Sequence, residues 1–373
     1  MCRDRRNTDV TLSSNRLAAL RDIMQQTGTT LTALAPGAHM HWVLGYHPHP
    51  DERATYLLVG PEAAVMVVPS VNAQDIGARV GLPLHVWTDE DGPAAALASG
   101  VAAVLPGGAI KVSLDETMRA DAALLLLDHL GNVGRSYATE TVGALRMRKD
   151  ATEFKALKAA ALAADEAMKA GFVALRPGLT ERQVAEAIRG GFAAQNTPSA
   201  FCLVASGPNG AFPHHSTGDR VLQAGDAVVI DIGGTTGGFP SDMTRMAIVG
   251  HAPEGYAEVH AVVERAVQAA MAAARPGVVA KAVDKAARDV IADAGYGEYF
   301  VHRTGHGLGL EVHEPPYLTA TSEAILEEGM VFSIEPGIYI PGRFGIRLEE
   351  IVILRADGPE IFSSLPRAAF VST

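Results

Sequence analysis

The chain has 373 residues, and because single cores seldom grow beyond about 250–300 residues, we expect two domains. Apolar residues make up 48% and charged residues 20%, a composition typical of globular domains and not of disordered chains. The net charge of −11 argues against a protein that binds nucleic acid or an anionic membrane surface, since both partners require a basic face.

Cysteine usage and hydropathy indicate the cellular setting. Only two cysteines occur, Cys2 and Cys202, so we expect no disulfide framework and a reducing, cytoplasmic environment. The N-terminal segment carries charge without an apolar stretch behind it, unlike a signal peptide. No run approaches the about 18 uncharged apolar residues of a spanning helix. We therefore expect a soluble protein.

Residues 1–142 are predicted to form a small α/β domain. The segment Tyr56–Pro69 consists of two apolar runs joined by a Gly-Pro-Glu turn, which predicts a β-hairpin, and Ala109–Leu114 predicts another strand. Four histidines crowd among glycine, proline and tryptophan, and we interpret them as loop or surface residues in preference to a metal site: His39, His41, His47 and His49.

Residues 143–373 are predicted to form a second, larger domain, which begins with two capped helices. Asp150 and Glu153 have the spacing of a capping box and predict that a long alanine-rich helix follows them. Thr180 and Gln183 have the same spacing and predict the start of a second helix.

This helical arrangement recurs further along the chain. An Arg-Pro-Gly stop separates the first two helices at 176–178, and another separates two further predicted helices at 275–277. A β-rich stretch with embedded polar residues follows each pair. The repetition suggests a domain of two related halves, with chance similarity between alanine-rich helices as the alternative.

The first candidate site residues lie around a glycine-rich turn. Asp231 follows the apolar strand predicted at 227–230, and Asp242 lies in the motif Ser-Asp-Met-Thr-Arg. The glycines between them predict a hairpin that returns Asp242 beside Asp231. Because aspartates also stabilise ordinary turns, this pair alone leaves a turn and a functional site as alternatives.

Three further motifs contain polar residues in an apolar or glycine-rich β context. His306 lies between glycines in GHGLGLEVHE, whose spacing does not match the G-x-G-x-x-G of a dinucleotide loop. Glu335 and Glu349 lie in apolar strand-like runs, where an unpaired carboxylate is costly to bury. With a side-chain period of two, Glu349 shares a face with Arg347 while Glu350 points the other way, so an Arg347–Glu349 ion pair is the alternative to a ligand role.

Considered together, four carboxylates and one imidazole in one domain favour a metal site. Carboxylates brought together repel one another, and burial raises their pKa values. Two divalent cations would cancel the four negative charges. Oxygen and nitrogen ligands without cysteine suit manganese, cobalt, iron or zinc in a two-metal site.

These motifs resemble those of the pita-bread metallopeptidases, the group that contains methionine aminopeptidase, Xaa-Pro aminopeptidase, Xaa-Pro dipeptidase (prolidase) and creatinase. The resemblance runs from about Arg146 to Leu365 and rests on S-D-M-T-R, G-H-G-L-G-L-E-V-H-E, I-E-P-G-I-Y and R-L-E. It implies a two-half catalytic domain and two divalent metal ions, with manganese expected before cobalt, zinc or iron. The implied ligands are five side chains: Asp231, Asp242, His306, Glu335 and Glu349.

The resemblance also implies individual roles. Asp231 would bind one ion, His306 and Glu335 the other, and Asp242 and Glu349 would bridge the two. His214 and His313 match the family's catalytic histidines, which orient the peptide carbonyl and stabilise the oxyanion, and Glu335 would carry the proton. Arg347 and His302 match residues that support the ligands, and His215 is not expected to be catalytic.

Within the group, the N-terminal domain argues against methionine aminopeptidase, and the intact ligand set argues against creatinase. The resemblance thus implies a homodimeric prolidase whose substrates are small peptides with proline after the scissile bond. Tyr317 stands where some prolidases carry an arginine that binds the dipeptide carboxylate. An Xaa-Pro aminopeptidase therefore stays an alternative, as do a non-peptide hydrolase and a catalytically silent binding protein on the same fold.

Overall fold

The computed structural model describes residues 3–105 and 107–372. The chain divides into two compact units, Met1–Arg146 and Met147–Thr373; the sequence predicts the boundary at 142/143. Both units combine helices with β-sheet, so the predicted α/β class is confirmed. Cys202 is a free thiol, and Cys2 lies outside the described residues. Within the described ranges, no helix is long and apolar enough to cross a membrane.

The N-terminal unit is built around one sheet. Its strands are Leu31–Leu34 (β1), Tyr56–Val59 (β2), Ala64–Pro69 (β3), Leu84–Trp87 (β4), Lys111–Leu114 (β5) and Gly134–Tyr137 (β6). Its helices are Arg3–Thr27 (α1), Ala38–Leu44 (α2), Ser70–Arg79 (α3), Ala94–Val104 (α4), Ala120–Leu130 (α5) and Val142–Arg146 (α6). The strand order is β4-β3-β2-β1-β5-β6. The predicted hairpin is confirmed because β2 and β3 pair antiparallel, and β5 confirms the other predicted strand.

The histidine-rich stretch of this unit differs from the prediction. His39 and His41 belong to α2, and His39 is buried, so the interpretation of these two as loop or surface residues is wrong. His39 Nε2 lies 3.3 Å from Glu116 Oε2, and Nδ1 lies 3.2 Å from Arg146 Nη1. A carboxylate and a guanidinium thus occupy both ring nitrogens, which is the pattern of a buried polar network.

The second unit contains two helix pairs and three sheets. The helices are Ala151–Ala174 (α7), Glu181–Ala194 (α8), Tyr256–Ala273 (α9) and Ala280–Asp293 (α10). The strands are Ser199–Ser206 (β7), Ala227–Thr236 (β8), Phe239–Pro240 (β9), Met243–Val249 (β10), Gly305–Gly307 (β11), Glu314–Leu318 (β12), Val331–Ile334 (β13), Gly337–Ile340 (β14), Phe344–Arg347 (β15), Glu350–Arg355 (β16), Gly358–Ile361 (β17) and Phe370–Ser372 (β18). Short 3₁₀ helices lie at Gly207–Ala211 and Gly297–Tyr299 in this unit and at Ala138–Glu140 in the N-terminal unit.

The two-half arrangement predicted from the sequence is confirmed by the order of elements. The pair α7–α8 precedes a sheet with the order β18-β10-β8-β7, with β9 on β8; the pair α9–α10 precedes a sheet with the order β12-β11-β13-β16-β17. Strands β14 and β15 form a separate hairpin. Both predicted capping boxes are present, at Asp150–Glu153 and Thr180–Gln183.

The alternation of side chains along β8 places a carboxylate on the face away from the first helix pair. Val228, Ile230 and Ile232 pack in the core formed with α7 and α8. Ala227 and Val229 belong instead to the core of the second half. Asp231 has the same parity as these two residues, so its side chain points away from α7 and α8.

Candidate metal centre

A cavity of about 870 Å³ in the second unit collects nine of the ten residues singled out from the sequence: His214, Asp231, Asp242, His302, His306, His313, Glu335, Arg347 and Glu349. Tyr317 does not line it. Apolar side chains complete the wall at Phe201, Leu203 and Val312. The cavity therefore combines a concentrated set of ionisable groups with an apolar surface that can receive a side chain of a ligand.

The two aspartates approach one another across an antiparallel pair, as predicted. Asp231 does not end its strand, however, because β8 continues to Thr236 and turns at Gly237 and Gly238, both with positive φ. Thr244 of β10 pairs with Asp231, and Asp242 lies just before that strand. The prediction that the strand stops at Asp231 is wrong since the glycines after it extend the ladder.

The two glutamates also lie outside the strands to which the sequence assigns them. β13 ends at Ile334 and β14 begins at Gly337, so Glu335 occupies the gap; Glu349 occupies the gap between β15 and β16. Pro336 has no N–H and cannot continue a ladder after Glu335. Leaving the strand frees each carboxylate to turn into the cavity.

The glycines around His306 serve the packing of the backbone. A Cβ on Gly305 would lie 2.0 Å from Ser333 O, and one on Gly307 would lie 2.2 Å from Pro315 O. Side chains at these positions would therefore push β11 away from its two neighbouring segments. The glycines are therefore required for the close approach of the neighbouring backbone segments.

The hydrogen bonds of His306 define the direction of its second ring nitrogen. Nδ1 lies 3.0 Å from Gly307 O, which can only accept, so Nδ1 carries a hydrogen. Nε2 then faces Glu335 Oε1 at 3.2 Å and Asp242 Oδ2 at 3.6 Å. Three potential acceptors at this spacing repel unless a proton or a cation lies among them.

Two overlapping groups of ligand atoms meet at Glu349. One atom each from Asp231, Asp242 and Glu349 lie within 4.8 Å of one another, and the same holds for His306, Glu335 and Glu349. Among the residues described, Asp231 Oδ1 and Glu349 Oε1 are buried and accept no hydrogen bond. Buried carboxylate oxygens without donors are costly, and coordination to a cation would satisfy them.

The pKa values of the carboxylates reflect this crowding. Burial, followed by the charge of Glu349, raises the pKa of Asp242 well above its usual range. Burial and the charge of Glu335 do the same to the pKa of Glu349. Burial also acts to raise the pKa of Glu335, but the hydrogen bond and charge of His306 outweigh it and lower the pKa to about 2. The cluster therefore cannot hold all its negative charges without a compensating cation.

Arg347 contacts the first ligand group. Its Nη2 donates to Asp231 Oδ2 at 2.6 Å, and its Nε donates to Thr244 Oγ1 at 3.0 Å. Thr244 in turn donates to Glu349 Oε2 at 2.8 Å. The alternative of a direct Arg347–Glu349 ion pair is thus wrong, since Thr244 lies between the two side chains. Glu350 points the other way, as predicted, and pairs with Arg245.

His302 is held at both ring nitrogens. Nδ1 donates to Arg303 O at 2.7 Å, so Nε2 accepts from the Tyr339 hydroxyl at 2.7 Å. Tyr339 also accepts from Arg347 Nη1 at 2.9 Å. Burial lowers the pKa of His302, which keeps the ring neutral. This chain of hydrogen bonds fixes the guanidinium that contacts Asp231.

Three more histidines lie at the cavity wall. The His313 ring packs edge-on against the His306 ring with centroids 4.2 Å apart. Burial and the charges of His306 and Arg303 lower the pKa of His313 to about 4, so this ring is neutral near pH 7. His214 and His215 follow the 3₁₀ helix Gly207–Ala211, and both line the cavity.

Tyr317 lies beside the cavity and contacts Arg303, a positively charged residue of the cavity wall. Its ring is 37% exposed, and the Arg303 guanidinium lies 4.8 Å from the ring centroid. Arg303 itself lines the cavity. The tyrosine therefore holds the arginine in place by a cation–π contact.

Several residues in contact with the site were not identified from the sequence. Ser333 Oγ accepts a hydrogen bond from the backbone N–H of His306 at 2.9 Å and donates one to Glu335 Oε1 at 3.1 Å. Arg245 is 1% exposed and donates to the backbone oxygen of Glu349. Thr244 and Arg245 are part of the S-D-M-T-R motif, so adjacency to Asp242 could have indicated them. Tyr339 ends the I-E-P-G-I-Y motif, which could have indicated it in the same way. Ser333 lies in an apolar run that gives no such signal.

The model of metallopeptidase family M24 matches residues 155–356, which covers both helix pairs except the first turn of α7 and includes every ligand candidate. The chain belongs to metallopeptidase family M24. Members of this family use divalent metal ions, in agreement with the two groups of ligand atoms. The second unit accordingly has the pita-bread fold, preceded by a separate N-terminal domain.

Relatives in the family match almost the whole chain. The probable dipeptidase PepE of Mycobacterium tuberculosis is 41% identical, and the alignment covers 98% of each chain. The Xaa-Pro dipeptidase of Lactobacillus helveticus is 33% identical over 93% of this chain and 96% of its own. The crystal structure of dipeptidase PepE from Mycobacterium ulcerans superposes with a TM-score of 0.92 at 40% identity, covering 97% of this chain and 98% of the other.

Proposed function

We propose that this M24 metallopeptidase hydrolyses the peptide bond before proline in Xaa-Pro dipeptides. The observation that carries the proposal is the pair of ligand groups that share Glu349 beside an apolar cavity wall. The Lactobacillus helveticus relative, an Xaa-Pro dipeptidase, suggests the substrate class. An Xaa-Pro aminopeptidase is the second candidate, because Tyr317 occupies the position of the expected carboxylate-binding arginine.

The donor set fits two divalent cations. Asp231, Asp242 and Glu349 would hold one, and His306, Glu335 and Glu349 the other, with Asp242 as the second bridge. This assignment accounts for the two buried carboxylate oxygens without donors. When bound, such cations lower the pKa of water and polarise a carbonyl. Manganese is the expected metal.

Two histidines would bind the substrate carbonyl, and Glu335 would transfer a proton. His214 and His313 line the cavity, and a ring N–H of each could donate to the peptide carbonyl and to the oxyanion that develops from it. Glu335 lines the cavity beside His306 and would accept a proton from the attacking water and pass it to the proline nitrogen. Phe201, Leu203 and Val312 would exclude water from the reacting bond.

Removal of the ions tests the proposal. Chelation should abolish hydrolysis of Ala-Pro, and Asp242→Ala should lower both the bound metal and the rate. The control is Asp219→Ala, which removes an exposed carboxylate paired with Arg182 and should change neither. A chelated, metal-free enzyme with full activity would contradict the two-metal proposal.

Substrate length distinguishes the two candidates. A strict dipeptidase needs a cation for the free carboxylate, and Tyr317 offers only a hydroxyl where an arginine offers a charged fork. We expect incomplete discrimination against Ala-Pro-Ala, and we expect Tyr317→Arg to increase the ratio of the kcat/KM values for Ala-Pro and Ala-Pro-Ala. Rejection of the tripeptide by about a thousandfold, or about 4 kcal/mol, in the wild type would show that another group already binds the carboxylate.

The remaining expectations concern assembly and location. A homodimer in the cytoplasm stays our prediction for this chain. Light scattering at micromolar concentration would test the dimer, and a monomeric mass would contradict it.

A further inference from the structure

A buried carboxylate outside the ligand set holds the loop that carries His214. Glu181, the first residue of α8, has no exposed surface. Its Oε1 accepts hydrogen bonds from Ser206 N at 2.8 Å, Ser206 Oγ at 2.8 Å and Asn209 Nδ2 at 2.9 Å. Its Oε2 accepts from His215 Nε2 at 2.9 Å and Gly218 N at 3.2 Å. One side chain therefore fixes both ends and the middle of the segment 206–218.

This segment connects the carboxylate to the substrate side of the cavity. His214 is adjacent to His215, whose ring is anchored by Glu181 and also lines the cavity. On the other side of His214, Pro213 O accepts from Arg347 Nη1 at 3.3 Å. His214 is thus held between a residue tied to Glu181 and a residue tied to the arginine of the metal centre.

The contacts indicate that Glu181 is a permanent anion. Burial acts to raise its pKa, but the backbone hydrogen bond from Ser206 and the side-chain donors outweigh burial and lower the pKa. Charge-assisted hydrogen bonds of this kind are about twice as strong as neutral ones. Replacing the carboxylate with an amide would turn one acceptor into a donor and leave at least one donor of the loop unpaired.

The second half of the domain contains a similar buried carboxylate. Asp284, in the second helix of its pair, is 1% exposed and accepts from Thr304 N at 3.1 Å and Thr304 Oγ1 at 2.8 Å. Thr304 lies two residues before His306. In each half, a buried carboxylate from the second helix therefore holds the segment that carries a histidine of the cavity.

We propose that Glu181 and His215 form a carboxylate–imidazole clamp that positions His214 for catalysis. Neither residue of the clamp is needed to bind metal; both act through the geometry of the loop. The inference rests on the proposed role of His214 in hydrolysis. It predicts that loosening the clamp lowers turnover while KM and metal content stay near their wild-type values.

Three variants test the clamp. Glu181→Gln and His215→Leu should each lower kcat for Ala-Pro by about 10–100-fold, the usual effect of removing a partner that orients an active-site histidine. His215→Gln keeps an N–H near the position of Nε2 and should recover most of the lost activity. Glu186→Gln removes an exposed carboxylate from the same helix and serves as the matched control.

Hydrogen exchange provides a readout that does not depend on activity. Amide exchange in 206–218 should increase in Glu181→Gln and His215→Leu and stay unchanged in the control Glu186→Gln. The metal content of these three variants should equal that of the wild type. Faster exchange with unchanged kcat would overturn the positioning role. Unchanged exchange in Glu181→Gln would overturn the clamp itself, and this result counts even if the wild type fails to cleave Ala-Pro and the proposed function is wrong. If Glu181→Gln does not fold, the comparison of His215→Leu with His215→Gln decides.

Discussion

At the scale of single residues, the cavity histidines differ in which ring nitrogens are already hydrogen-bonded. His302 is bonded at both nitrogens, His306 contacts Gly307 O through Nδ1 and Glu335 through Nε2, and His215 bonds Glu181 through Nε2. Within the described part of the chain, the side chains of His214 and His313 make no hydrogen bond. A ring without protein partners at the wall of a cavity is available to a substrate.

We therefore expect His214→Ala to reduce kcat by about 10²–10³-fold, the typical effect of removing one donor to an oxyanion. Metal content should not change, because His214 belongs to neither ligand group. His215→Ala should have a smaller effect, since it only loosens the loop. Steady-state kinetics and elemental analysis of both variants check this, and a larger loss for His215→Ala would reverse the assignment.

Metal uptake by the carboxylate cluster should release protons. The pKa values of Asp242 and Glu349 are raised, so both groups retain protons to a higher pH than free carboxylates do. Cations displace these protons, and metal affinity should rise with pH until both groups are ionised. Calorimetry in two buffers of different ionisation enthalpy measures the release; equal heats in both buffers would contradict it.

The sequence predicted the ligand candidates because each is an acid or imidazole in an apolar or glycine-rich setting, where burial demands a partner. It did not predict Glu181 or Ser333. An acidic residue in the first turn of a helix is favoured by the helix dipole alone, so Glu181 carried no sign of its five donors. Such partners are distant in sequence and become visible only in the fold.

At the scale of elements, three of the five proposed ligands lie next to the ends of strands, whereas Asp231 lies within β8 and His306 within β11. Asp242 precedes β10, Glu335 lies between β13 and β14, and Glu349 between β15 and β16. At the two glutamates the sequence predicted continuous strands, because the apolar runs do not stop there. Local pattern and tertiary structure disagree at Glu335 and Glu349, as is common at functional sites.

Helix boundaries, in contrast, were predicted closely because capping is local chemistry. Asp150 accepts from the N–H groups of Thr152 and Glu153, at 2.8 and 2.9 Å. We expect Asp150→Ala to lower the free energy of unfolding by about 0.5–2 kcal/mol. Urea denaturation measures this, with Glu166→Ala on the exposed face of α7 as control. Equal effects of the two substitutions would show that the cap contributes nothing specific.

At the scale of the whole catalytic domain, the two halves share the proposed ligand set. Asp231 and Asp242 come from the first half, and His306, Glu335 and Glu349 from the second. Ions bound by both halves should stabilise the folded state, by about 2.7 kcal/mol when the free metal is at a hundred times its Kd. Chelation should therefore lower Tm for the wild type and have little effect on Asp242→Ala. Identical Tm shifts in the two proteins would contradict shared ligation.

The pairing of β18 with β10 has a consequence for synthesis of the protein. Phe370–Ser372 lies parallel to the strand that follows Asp242, so the last described strand completes the sheet of the first half. A nascent chain still attached to the ribosome lacks this strand when the first helix pair has already emerged. The sheet that carries two of the proposed ligands therefore gains its outer strand only after translation has passed β18. By that point the second half of the domain, with the other three proposed ligands, has already been synthesised.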